Sequence, residues 1–126
     1  MTHDLAGAWR LVSWSLEYED SRTSEFPLGR EACGLLLYTS GGPTGGWVSA
    51  TLMNTGQPSA SLAYAGRYDV RDGAVYHSIE ISTDPTLVGV TTTRHIARKG
   101  DVLTLSGPDF GARTGRSQKI VWRRLS

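Results

Sequence analysis

Apolar residues recur at every second position through most of the chain, the period of strands with one buried face. Gly7–Tyr18 is the first such run, a long strand with Trp9 and Trp14 on opposite parities. After a polar loop, Glu19–Arg30 with Pro27-Leu28-Gly29, strands are predicted at Gly34–Thr39 and Trp47–Leu52, joined by the glycine-rich connection Ser40–Gly46. Met53–Ser61 shows no clear period and reads as a loop or lid. Ala63–Arg71 and Ala74–Ser82 form a hairpin about Asp72-Gly73, a dipeptide suited to a tight turn with both residues at positive φ. Asp84-Pro85 breaks the ladder, since proline lacks the N–H donor. Val90–Arg98, Val102–Ser106 and Gln118–Arg124 complete eight strands, with a turn at Lys99–Asp101 and a loop at Gly107–Ser117.

Eight short strands in meander order, with no long crossover, predict an all-β fold: one antiparallel up-and-down barrel over residues 1–126. Such a barrel is just wide enough to be filled by side chains or to hold one small ligand. In the hairpin, His77 shares parity with Val75, Ile79 and Ile81, and Tyr64, Tyr68 and Val70 form the matching set on the preceding strand. Parity therefore places an imidazole and two phenols among apolar residues facing inward. Arg94 shares its parity with Thr92 and Ile96, which turns a guanidinium inward if Ile96 is inside; His95 then points out.

Composition narrows the partners. Thirteen Lys and Arg against twelve Asp and Glu leave a net charge of +1, which gives no electrostatic case for nucleic acid or an anionic membrane surface. No run reaches the roughly 20 apolar residues that cross a bilayer, and Met1–Ala6 lacks a signal-peptide pattern, so a cytoplasmic protein is expected. Cys33 is the only cysteine and the three histidines are scattered, so no metal site and no cofactor are expected. The glycine-rich Gly41–Gly46 lacks the lysine of a phosphate-binding loop.

Several segments carry a resemblance: Leu5–Ser13, Pro27–Gly29, Gly34–Thr39, Ala63–Tyr68, His77–Pro85, Gly89, Arg94, Leu103–Leu105 and Val121–Arg124. In this order the chain resembles the lipocalin-like domain family of small bacterial and fungal barrels. It departs from that family at Ser78, where a second histidine is usual, and in its long Ser40–Gly46 loop. The resemblance implies a calycin-type barrel with an internal cavity for a hydrophobic or amphipathic small molecule. It also implies that Trp9 packs at the closed end beneath Arg123 or Arg124.

For each candidate a structural role stands beside a chemical one. His77 is either a satisfied core imidazole or a general acid/base. Arg94 is either half of an internal salt bridge, with Glu17 or Glu80, or a clamp for an anionic oxygen. Tyr38, Tyr64 and Tyr68 either pack or hydrogen-bond a ligand carbonyl. Trp47, Met53, Ile79 and Trp122 are expected as cavity wall or lid. His77, Arg94 and Tyr68 then form a catalytic set. The expected function is a cofactor-free isomerase or cyclase acting on a polyketide-like intermediate, with a non-catalytic carrier of a hydrophobic metabolite as the alternative. A monomer or a homodimer is expected, the latter joined through outer-face residues such as Trp14 or Leu16.

Overall fold

The alternating runs become nine antiparallel strands in a computed structural model that describes residues 5–18, 24–25, 27–40, 45–108 and 116–126. They are β1 (Gly7–Tyr18), β2 (Ser24–Glu25), β3 (Ala32–Tyr38), β4 (Gly46–Asn54), β5 (Gln57–Arg71), β6 (Ala74–Ser82), β7 (Thr91–Lys99), β8 (Val102–Pro108) and β9 (Arg116–Arg124). Each strand from β3 onward pairs with the next, and β1 pairs with β2, β3 and β9. The β1–β9 ladder closes β1 and β3–β9 into an eight-stranded barrel, with the two-residue β2 alongside. Closure removes the open sheet edges that would otherwise invite pairing with other chains. Among the described residues no helix is long and apolar enough to cross a membrane.

Two bulges explain what simple alternation cannot. The β1–β9 register shifts between Leu11 and Ser13. Inward parity therefore passes from Trp9 and Leu11 to Trp14 and Leu16, and all four are buried. Trp14 and Leu16 belong to the interior, which corrects the expectation that they sit on the outer face. The β5–β6 register shifts between Ala65 and Gly66, opposite Ile79 and Ile81. Val75, His77 and Ile79 are buried before this bulge, whereas Ile81 beyond it is 67 % exposed. Gly66 is needed here, because a Cβ at that position would collide with the Ser78 carbonyl.

The turns follow their local chemistry. Asp72 and Gly73 have φ of 52° and 78°, the positive pair that a tight hairpin turn requires. Asp84 caps a short 3₁₀ turn, Pro85–Leu87, by accepting from the Thr86 amide. Met53–Ser61 is not a loop or lid: β4 runs on to Asn54, Thr55 and Gly56 turn, and β5 begins at Gln57. Asn54 stabilises that turn by accepting from the Gly56 amide at 2.8 Å and donating to the Leu28 carbonyl at 3.0 Å. The Gly41–Thr44 part of the glycine-rich connection lies outside the described residues.

One end of the barrel is plugged by Trp9, which donates its indole N–H to the Leu5 carbonyl at 3.0 Å. Arg124 lies over the same ring at 4.5 Å, as the resemblance implies, and Arg98 approaches it at 5.3 Å. Arg124 also donates to the Ala6 carbonyl, tying β9 to the segment before β1.

Candidate functional site

Strand alternation on β6 turns His77 into the barrel, where it is 2 % exposed. Two strands send a phenol to this imidazole: β5, which pairs with β6, and β3, which is not its neighbour in the sheet and meets it across the interior. The Tyr38 hydroxyl lies 2.6 Å from His77 Nε2, and the Tyr64 hydroxyl lies 2.8 Å from Nδ1. Burial, reinforced by the charge of Arg94, lowers the His77 pKa to about 3, so the ring is neutral at physiological pH. A neutral imidazole has one N–H and one bare nitrogen. One tyrosine therefore donates to the bare nitrogen, and the ring N–H donates to the oxygen of the other.

The two phenols are held neutral as well. Burial pushes Tyr64 up to about 12 against the opposing pull of Arg94. Burial, helped by the neighbouring Tyr64 and Tyr68, raises Tyr38 well above its ordinary value, again against Arg94. Tyr38–His77–Tyr64 is thus an unbroken chain of three neutral hydrogen-bonding groups in an apolar interior.

Arg94 on β7 is the charged member of the cluster and is 4 % exposed. Its Nη1 donates to the Thr93 carbonyl at 2.8 Å. Gly107 of β8 leaves room for the side chain, since a Cβ there would come within 3.1 Å of Nη1. Glu80 is not its partner: Glu80 faces outward and lies 3.8 Å from Arg67. The Glu17 side chain lies outside the described residues.

Tyr64, His77, Arg94, Trp14 and Trp122 line a small enclosed cavity together with Leu36, Leu52, Leu105 and Ile120. Its volume is about 10 Å³, roughly the space of one water molecule. Among the described residues no carboxylate is on its wall. The indole N–H of Trp122 and the hydroxyl of Thr92, the residue paired with His77 across the β6–β7 ladder, are buried with no hydrogen-bond partner.

The sequence-predicted residues divide into three groups. His77, Arg94, Tyr64 and Trp122 surround the cavity, and Tyr38 touches it through His77. Tyr68 points inward but donates to the Thr39 carbonyl at 2.6 Å while its ring packs edge-on against Tyr38 at 4.6 Å; Ile79 is ordinary core. Trp47 and Met53 are corrections to the expected cavity wall. Trp47 is 46 % exposed on the outer surface, with Arg67 over its ring at 4.3 Å. Met53 lines an outer depression of about 420 Å³ with Arg10, Leu35 and Leu37. Both share the parity of Ser49 and Thr51, opposite to buried Val48, Ala50 and Leu52, so the alternation of β4 sends them out.

Sequence reasoning also passes over Gln118, which is buried and accepts the Trp14 indole N–H at 2.8 Å, and over Arg98 beside Trp9. Gln118 shares parity with Ile120 and Trp122 on β9, which was the available signal. Cys33 is half-buried on β3, and His95 is exposed on the outer face. Among the described residues no group of three or more His, Cys, Asp or Glu side chains is placed to hold a metal ion.

Two comparisons bear on this barrel. The chain matches the family described as lipocalin-like domain over residues 6–62 and 55–125, nearly its whole length. It is also similar to the 4′-hydroxy-3′-methoxypropiophenone carrier protein ppsC of Aspergillus oryzae. Identity there is 36 % over 74 residues, covering 51 % of this chain and 67 % of the relative. No solved structure matches the chain.

Proposed function

The chain belongs to the lipocalin-like domain family, and on that premise we propose that its barrel carries a small aromatic molecule with a polar oxygen substituent. The observation that carries this reading is the neutral Tyr38–His77–Tyr64 chain beside Arg94 in an otherwise apolar interior. Apolar walls with a few convergent polar groups are how small-molecule sites combine affinity with orientation. The relative's name, a carrier of a hydroxyaryl ketone, supports the same class of cargo. Because the cavity has room for little more than one oxygen atom, cargo enters by displacing inner side chains such as Leu36, Leu52 and Trp14.

Carriage fits His77 better than general-base catalysis does. Both ring nitrogens are already engaged, and a ring that protonates near pH 3 is a weak base at neutral pH. A cofactor-free isomerase or cyclase is the second reading, and one observation favours it. A proton accepted at one nitrogen of His77 can leave from the other, so Tyr38–His77–Tyr64 is able to relay a proton without lasting charge. Arg94 would then stabilise negative charge developing on a substrate oxygen.

The two readings separate in one experiment: calorimetric titration with 4′-hydroxy-3′-methoxypropiophenone, followed by mass spectrometry and NMR of the recovered ligand. Saturable binding with the ligand recovered unchanged is the expected result. Conversion that disappears in His77→Ala supports the enzyme, and absence of binding to this ketone and to its hydroxyaryl homologues overturns both.

A further inference from the structure

The cavity wall holds one unmatched group, the indole N–H of Trp122. Among the described residues Arg94 is the charged group that lines the cavity. Trp122 also lines it, is 2 % exposed, and leaves Nε1 without a hydrogen-bond partner. The other buried indoles differ, since Trp9 donates to the Leu5 carbonyl and Trp14 to the Gln118 side chain. A buried donor left unpaired is costly, and the cost is relieved when an acceptor arrives.

We propose that the cargo enters oxygen first and that a carbonyl or phenolate oxygen accepts the Trp122 indole N–H beside Arg94. This inference rests on the carrier reading and adds the class of ligand atom that reaches the deep end. Donor polarity is the basis of selection. Trp N–H and arginine can only donate, so this part of the wall rejects a ligand that offers a hydrogen-bond donor or a hydrocarbon there. The existing space of about 10 Å³ suits one oxygen atom, and the rest of the ligand fills room made by displaced apolar side chains. A carbonyl and a phenolate share this acceptor chemistry.

Three matched probes test this: a hydroxyaryl ketone, the same ring with the ketone reduced to an alkyl chain, and the same ketone with its phenol methylated. Each is titrated into the protein while the four indole N–H signals are followed by ¹⁵N NMR. The expected result is a downfield shift of the Trp122 signal with an oxygen-bearing probe, and little change at Trp9 or Trp14, whose N–H groups are already bonded. The probe lacking the critical oxygen should bind about ten-fold or more weaker. If the alkyl probe suffers, the acceptor is the carbonyl; if the methylated probe suffers, it is the phenolate. Trp122→Phe should erase the preference between probes while leaving apolar binding in place. Equal binding of all three probes, or binding with no movement of the Trp122 signal, overturns the inference and leaves the carrier reading standing. Failure of every probe to bind overturns the carrier reading itself.

Discussion

Trp9 and Trp122 are both fully buried, yet their indole N–H groups are treated differently. The Trp9 indole is met within the chain: its N–H reaches the Leu5 carbonyl, and Arg124 stacks on its ring while donating to Ala6. The Trp122 indole donor has no partner, although His77, Tyr64 and Arg94 line the same cavity. The Trp9 indole, bonded and stacked within the chain, helps to hold the barrel together. A buried donor left unmatched calls for a physical explanation, and at Trp122 the proposed ligand oxygen supplies one.

The sharpest way to break the comparison is at the closed end. Trp9→Ala should cost about 3–5 kcal/mol in denaturant unfolding, because it empties a packed site as well as its hydrogen bond. A loss under 1 kcal/mol would show that the plug is dispensable. In the middle of the barrel, Tyr38→Phe leaves one nitrogen of His77 unpaired and should cost about 1–3 kcal/mol. Tyr68→Phe should cost less, since the Thr39 carbonyl it frees belongs to an exposed residue that water can reach.

Acid should then separate the regions. His77 is held near pH 3 when folded but protonates near 6.5 when unfolded. The unfolded chain therefore binds the extra proton, and stability falls with decreasing pH between those values by up to about 1.4 kcal/mol per unit. A His77→Gln variant should lose that slope between pH 6.5 and 5, where few carboxylates titrate. Tyr64 gives the mirror image: its raised pKa makes stability fall as pH climbs from 10 towards about 12. The smallest effect belongs to the outer wall, where Leu35→Ser at an exposed site should change stability by no more than about 0.5 kcal/mol.

Much of the architecture was legible because strand period and turn chemistry are local. The positive-φ pair at Asp72-Gly73 and the inward parity of His77, Tyr64 and Tyr68 need only a few neighbouring residues to be read. What escaped is set by partners. An inserted residue in a bulge is invisible until the opposite strand fixes the register, so Trp14, Leu16 and Ile81 were assigned to the wrong face. Trp47 and Met53 are a different failure, since the alternation of β4 already pointed them outward and their apolar character argued otherwise. The Tyr38–His77 contact required curvature: β3 and β6 are not neighbours in the sheet, and only a closed barrel brings them together.

Closure through β1 and β9 also has a consequence in time. The bond from Trp14 to Gln118 joins residues 104 positions apart, and the whole β1–β9 seam shares that long reach. Contacts so distant along a chain form late, and all-β domains dominated by them fold in milliseconds to seconds rather than microseconds. The pieces of the polar chain on β3, β5 and β6 lie nearer one another in sequence and can meet sooner. Trp122 is carried by β9, so the cavity wall is finished only when the barrel shuts.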